Sequence, residues 1–379
     1  MQPPPAQPPD LRPPTLPRLL IAASGTGGHL FPAIATAEQL ADYQIEWLGV
    51  PDRLETKLVS DRYRLHTVKV GGFQQKLGLG TLKTLLGLMG SVFKVRKLLR
   101  EGQFSGVFTT GGYIAGPALF AARSLGLPVI LHESNALPGK VTRLFAPWCS
   151  TVALGFESAT KYLKNAKTIC VGTPVRSQFR SAPDPTALKD LAISKEAPLI
   201  VVVGGSQGAV ALNQLVRQCA PAWFEAGAWV VHITGESDPD LRGLAHPHYR
   251  ALPFYHNMAA LFQRANLAIS RAGAGTLTEL AVTHTPSILI PYPFAAEDHQ
   301  TYNATVFANA GAAILFRQSE LTPDMLQNSV LTLLKERMRL DQMAERAAAL
   351  AVIDSAEQTA QLVRDSLAPR SATMSKPGL

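Results

Sequence analysis

Cysteine is scarce in this chain. Cys149, Cys170 and Cys219 are the only three in 379 residues, an odd and widely spaced set. They give neither a disulfide framework nor zinc-ligand spacing, and they fit a reducing compartment. Long apolar runs are missing too. Nothing approaches the roughly 20 residues that a spanning helix needs, and no secretory leader is visible. Aromatic residues stand at 7% and charged residues at 17%. That leaves few rings on which nucleic-acid bases could stack.

Hydrophobic residues are plentiful at 46%, enough for a large core and, at this length, for two domains. Proline crowds the first 18 residues, MQPPPAQPPDLRPPTLPR. They can bury almost nothing and read as a disordered tail. Charge is uneven. Residues 1–175 carry 19 Lys+Arg against 10 Asp+Glu, whereas residues 176–379 carry 17 against 18. A basic half beside a neutral one points to an anionic partner, either a membrane surface or nucleic acid.

Short apolar runs alternate with glycine turns and helical stretches. Residues 18–24 (RLLIAAS) lead into GTGGH and then a helix over 32–41. Further strands are expected at 44–50, 106–110, 128–132, 152–154 and 168–171. The series restarts at 198–203 (PLIVVV), followed by GGSQG, a helix over 209–219, and strands at 228–234, 266–270 and 286–291. Such continuous runs suit parallel strands covered on both faces. The expected fold is α/β, with two Rossmann-like, doubly wound domains facing a central cleft. The first spans 19–175 and the second 176–354, with the hinge near GTPVRSQFR; residues 368–379 form a loose tail. In open parallel sheets ligands bind beyond the carboxyl ends of the strands, where all these glycine loops fall.

GTGGH (25–29) resembles a dinucleotide fingerprint but carries Leu30 at the third glycine position. No acid is well placed after the second strand: Glu46 lies inside it and Asp52 beyond it. His29, at a cleft-facing turn, can accept a proton near neutral pH. TTGGY (109–113) and HESN (132–135) end neighbouring strands, so Glu133 and Asn135 would face the same cleft. They suit sugar hydroxyls or a second base; the competing reading is helix capping by Ser134 or Asn135. GGSQG (204–208) lacks the lysine of a triphosphatase loop, yet Ser206 and free N–H groups suit a diphosphate. In SRAGAGTLTE (270–279) a helix starting at Thr276 would meet a diphosphate, with ribose hydroxyls on Glu279. A capping box of Thr276 and Glu279 competes. His299, Gln300 and Asn303 suit a neutral sugar. Asp238 and Asp240 spell an Asp-x-Asp pair, but in a polar turn they read as a helix cap. No other cluster has metal spacing.

Residues 73–100 (FQQKLGLGTLKTLLGLMGSVFKVRKLLR) are basic and apolar, and residues 62–100 hold nine Lys/Arg and no acid. Phe73, Lys76, Leu77, Leu79, Leu82, Lys83 and Leu86 are the expected contacts with an anionic bilayer, and Leu85, Leu88, Met89 and Phe93 complete the apolar set of the stretch. Residues 92–99 are expected to be ordinary core helix. Nucleic acid is disfavoured.

These motifs, taken in order with GTPVR and HQTYNA over most of residues 19–310, resemble the MurG family. The resemblance implies the GT-B fold, with residues 355–367 crossing back to the first domain. It implies an inverting enzyme that moves N-acetylglucosamine from UDP-GlcNAc to undecaprenyl-linked lipid I with a β-1,4 link, giving lipid II for cell-wall synthesis. Donor contacts then fall on Thr26, Gly27, Gly28, Asn135, Arg176, Ser206, Tyr255, the run Ala274, Gly275, Thr276, Leu277, Thr278, Glu279, and Gln300. Acceptor contacts fall on His29, Tyr113 and Glu133, with His29 or Glu133 as the base. No cofactor and no metal are implied. The place implied is the cytoplasmic face of the plasma membrane, with cell-wall synthesis proteins as partners. The sequence departs from the family in its proline tail, in His299 where many members carry a second glutamine, and in Tyr255 at an often aliphatic position. Another lipid acceptor such as diacylglycerol is the alternative. An epimerase would not need residues 73–100, a dehydrogenase would need the intact fingerprint, and a non-enzymatic membrane protein would lack UDP affinity.

Overall fold

The computed structural model describes residues 16–70, 79–184, 186–205, 209–241 and 243–368, with the backbone alone over 79–86. The expected proline tail to residue 15, the loose tail beyond 368, and Phe73, Lys76, Leu77 and Ser206 lie outside the described residues. Two parallel sheets organise the rest. The first contains β1 (Arg18–Ala22), β2 (Gln44–Gly49), β3 (Arg64–Thr67), β4 (Gly106–Thr109), β5 (Val129–Glu133), β6 (Thr151–Leu154) and β7 (Thr168–Cys170), in the order β3-β2-β1-β4-β5-β6-β7. The second contains β8 (Leu199–Val203), β9 (Trp229–Ile233), β10 (Tyr249–Leu252), β11 (Leu267–Ser270), β12 (Ser287–Leu289) and β13 (Ala313–Leu315), in the order β10-β9-β8-β11-β12-β13. Both are doubly wound orders.

The helices are α1 (Gly27–Ala37), α2 (Glu55–Leu58), α3 (Leu79–Glu101), α4 (Ala115–Ser124), α5 (Lys140–Phe145), α6 (Val210–Glu225), α7 (Met258–Arg264), α8 (Ala274–Val282), α9 (His299–Asn309), α10 (Pro323–Lys335), α11 (Arg337–Ala349) and α12 (Ser355–Leu367). Strand side chains alternate between faces, so each sheet has two cores. In the first sheet Leu20, Val107 and Leu131 pack under α3 and α4 with Leu99 and Leu119. Leu19, Ile21, Phe108 and Ile130 pack on the other face with Leu30 of α1 and with Ala360 and Val363 of α12. Each fully buried aliphatic side chain contributes about 1.5–3 kcal/mol. Thus the last helix, which follows the second sheet in sequence, is part of the first sheet's core. Arg364 adds a fork to Asp42 at 2.7 and 2.8 Å.

Three strands escape the apolar-run reading: β3, β10 and β13. All three are sheet edges. An edge strand is covered less completely, so β3 (RLHT) and β10 (YRAL) need no continuous apolar run, whereas β13 (AIL) is apolar but only three residues long. Helix α1 begins at Gly27, five residues before the expected start, and Pro32 sits inside it. Among the described residues no helix is long and apolar enough to cross a membrane.

Candidate active site

The order of the first sheet reverses between β1 and β4, and that of the second between β8 and β11. Crevices for ligands open at such points. The loops at these reversals are GTGGH, TTGGY, RAGAG and Gly204–Gly205, the described start of GGSQG. Helices α1 and α8 leave two of them and approach each other across the cleft.

His29 lies in the first turn of α1, half-buried. Its Nδ1 is 2.7 Å from the carbonyl of Thr110, and the Thr110 hydroxyl donates to the His29 carbonyl at 2.9 Å. A carbonyl only accepts, so Nδ1 carries the proton. In the neutral ring Nε2 is then the acceptor. Gly111 and Gly112 wrap the ring at φ +89° and +75°; a Cβ on Gly112 would lie 3.6 Å from Nε2. Tyr113 follows, 51% exposed.

Glu133 differs. Its Oε1 accepts from the Asn135 N–H at 3.0 Å and from Asn135 Nδ2 at 3.1 Å. Its Oε2 accepts from the Gly139 N–H at 3.0 Å and from the Thr142 hydroxyl at 2.6 Å. The side chain is buried and its four acceptor positions are taken. Neither Ser134 nor Asn135 caps a helix, since α5 starts at Lys140 after Gly139.

On the second sheet, α8 starts at Ala274 after Gly273, two residues earlier than expected. No capping box forms. Glu279 instead accepts from Arg176 at 3.0 Å. Burial pushes the Glu279 carboxyl up, while Arg176 pulls it down. The Arg176 guanidinium lies 4.2 Å over the ring of Phe31 from α1, so this pair touches both walls. The first N–H groups of α8 precede the first helical bond, Leu277 N–H to Gly273 C=O at 3.0 Å, and can meet an anion. Gly273 and Gly275 have open space where a Cβ would stand, without positive φ. Their lack of a side chain leaves room for a ligand. Leu277 is fully buried, and the half-buried Thr278 donates its hydroxyl to the Ala274 carbonyl. Tyr255 is a core residue whose hydroxyl bonds Asp190 at 3.0 Å; burial pushes it up to about 12. Gln300 Oε1 accepts from the N–H groups of Ala272 (3.1 Å) and Tyr292 (2.9 Å), so among the described residues its Nε2 remains to donate.

Several expected roles change. Asn303 is fully buried and bonded to protein on all sides, so it does not face sugar. Asp238 caps no helix; it forms a buried ion pair with Arg217. Glu46 is held by Arg18 and His66. Glu55 escaped the sequence reading: it is fully buried and accepts from the N–H groups of Val50 (2.8 Å) and Gly25 (3.2 Å), shaping the first glycine loop. Only tertiary contact reveals it. Among the described residues no group of three metal-ligating side chains occurs.

Leu79, Leu82, Lys83 and Leu86 lie on α3, which packs on α4. On the described side chains of that surface, Met89, Phe93, Phe120, Leu144 and Trp148 are exposed at 48, 65, 36, 65 and 39%. Phe120, Phe145 and Trp148 form an edge-to-face cluster with centroids 5.1–5.6 Å apart.

Comparison with known proteins agrees with this geometry. Residues 19–154 match the glycosyltransferase family 28 N-terminal domain and residues 199–359 its C-terminal domain. A Nostoc sp. protein is 68% identical over 348 residues, covering 92% of this chain and 97% of its own. One from Trichodesmium erythraeum is 65% identical over 350 residues, covering 92% of each. Both are named UDP-N-acetylglucosamine–N-acetylmuramyl-(pentapeptide) pyrophosphoryl-undecaprenol N-acetylglucosamine transferase. The crystal structure of Acinetobacter baumannii MurG superposes with a TM-score of 0.74 at 29% identity, over 92% of this chain and 99% of that one. The calicheamicin glycosyltransferase CalG4, at 15% identity and a TM-score of 0.67 over 95% of this chain and all of that one, shares the fold. The chain belongs to the MurG family of GT-B glycosyltransferases, assembled from the two family 28 domains.

Proposed function

We propose that this protein transfers N-acetylglucosamine from UDP-GlcNAc to the 4-hydroxyl of the MurNAc unit of lipid I, giving lipid II. The observation that carries it is 65–68% identity, over 92% of the chain, to relatives named for that reaction. The division is residues 19–175 with 355–367 for the acceptor and 176–354 for the donor.

Nε2 of His29 removes the proton of the acceptor hydroxyl as its oxygen attacks the anomeric carbon. The bond to the UDP oxygen breaks on the opposite face, and the configuration inverts. The supporting geometry is the Nδ1 bond to Thr110, which leaves Nε2 as the acceptor. Glu133, with every acceptor position occupied, shapes the wall beside it. The leaving diphosphate meets the amino ends of helices, Ser206, and the N–H groups of Ala274, Gly275 and Thr276. Those partial positive charges sit where negative charge develops. Thr26, Gly27, Gly28 and Asn135 line the donor from the first sheet, Glu279 takes a ribose hydroxyl beside Arg176, and Gln300 donates from Nε2 to the sugar. Tyr255 contributes backbone only, and Tyr113 meets the acceptor.

The reaction is read as metal-independent, without a cofactor. The enzyme works as a peripheral protein on the cytoplasmic face of the plasma membrane. The exposed residues of α3 to α5, joined by residues 73–86, meet anionic lipid, and cell-wall synthesis proteins are its partners. The decisive experiment is transfer from UDP-GlcNAc to a lipid I analogue in the presence of chelator. Product with a β-1,4 link is expected. Activity that vanishes in chelator and returns with magnesium would overturn the metal-free step; turnover only with a diacylglycerol acceptor would overturn the substrate.

A further inference from the structure

Asn303, on α9, has no exposed surface. Its Oδ1 accepts from the Ala136 N–H at 2.8 Å. Its Nδ2 donates to Asn135 Oδ1 at 3.1 Å and to the Ala272 carbonyl at 3.2 Å. The orientation follows from chemistry: an N–H requires the oxygen of the amide, and a carbonyl requires the nitrogen. Asn135 obeys the same logic, since its Nδ2 faces the Glu133 carboxylate and so turns Oδ1 to Asn303. A continuous chain of hydrogen bonds therefore runs from Ala272, beside the open start of α8, across the cleft to Glu133. Glu133 in turn holds Gly139 and Thr142 of the acceptor wall. The Ala272 N–H is held by Gln300 from the same helix.

Another polar tie across the cleft is weaker. Arg143 reaches both oxygens of Glu297 at 2.7 and 2.8 Å, but both partners are partly exposed. Such pairs are screened and contribute little. Asn303 is buried, and its donors have no water to turn to while the cleft is shut.

We infer that Asn303 is the positioning residue that holds the cleft closed, fixing the donor loop against the acceptor wall without touching sugar. This rests on the cleft being the place of transfer. Opening breaks its bonds to Ala136 and Asn135 and keeps the one to Ala272. Donor binding to the second domain then survives an open cleft, whereas transfer does not.

The test compares the full-length wild type with Asn303→Asp. The substitution keeps size and the bond from Ala136, but replaces both donations by an oxygen facing oxygens. Three quantities are measured: UDP affinity by calorimetry, kcat with a lipid I analogue, and radius of gyration by small-angle X-ray scattering. The expected result is UDP affinity within about threefold, kcat lowered by about 10- to 100-fold, and a larger radius. Lowering the pH should restore part of the N303D activity, because a protonated carboxyl can donate again. Asn303→Ser has nothing to titrate and should show no such recovery; it also carries the comparison if the charged variant fails to fold. Unchanged kcat, or UDP affinity falling in step with kcat, would overturn the inference. An inactive wild type whose radius still grows on N303D substitution would overturn the transfer reading and leave the clasp standing.

Discussion

His29 and Glu133 read as equal candidates in one dimension. Their hydrogen bonds separate them. His29→Ala should lower kcat by about 100-fold or more. Glu133→Gln cannot accept at all four positions. It should cost about 1–3 kcal/mol of stability, measured by urea denaturation, with a smaller loss of kcat than in H29A. A near-normal rate for H29A would return the base to Glu133. Buried histidines also set the acid limit of the fold. Burial holds His232 down to about 3, with Nε2 on Asn213 at 3.0 Å and Nδ1 on the Tyr249 hydroxyl at 2.8 Å. His132 is buried and lowered as well. The native state refuses protons that the unfolded chain takes up below about pH 6.5. Stability is therefore present above that pH and lost as pH falls from there toward 3. Urea titrations at pH 7.5 and 5.5 should differ by about 1–2 kcal/mol, the lower pH being weaker. His232→Gln should shrink the difference.

At the scale of loops and helices, two glycines with the same sequence appearance serve different ends. Gly112 has φ +75°, and its absent Cβ faces His29. Gly112→Ala should lose about 1 kcal/mol or more from backbone strain and should also slow turnover. Gly273 has an ordinary φ of −65° and open space before it. Gly273→Ala should leave the melting temperature unchanged and weaken UDP binding by about tenfold, read by calorimetry. An equal loss of stability in both variants would contradict this distinction. Glycine-rich loops are legible in a sequence because glycine itself is the signal. Which of the two reasons applies is not, since φ and the space around a Cβ depend on what packs nearby.

At the scale of the molecule, the exposed apolar residues Met89, Phe93, Phe120 and Leu144 of α3 to α5 belong to the basic half of the chain. Phe93→Ser combined with Lys94→Glu and Lys97→Glu should reduce sedimentation with anionic vesicles by tenfold or more, since each basic residue near such a surface is worth about 1 kcal/mol. UDP affinity in detergent should stay as in the wild type. Binding to neutral vesicles with equal strength would argue against the charge contribution.

Fold class, the motif order and the family were legible in the chain itself. Apolar runs such as 198–203 and loops such as GTGGH are local patterns, and local patterns survive in one dimension. The edge strands β3 and β10 were not legible, because less complete burial leaves their composition mixed; β13, three apolar residues, is too short a run to stand out. The roles of Asn303, Glu55, Asp238 and Glu279 needed packing. Asn303 and Asn135 are 168 positions apart, and no spacing rule connects them. The sequence supplied polar side chains near glycine turns; the packing of one sheet against the other decided which of them are spent on hydrogen bonds within the protein and which keep a donor or acceptor free in the cleft.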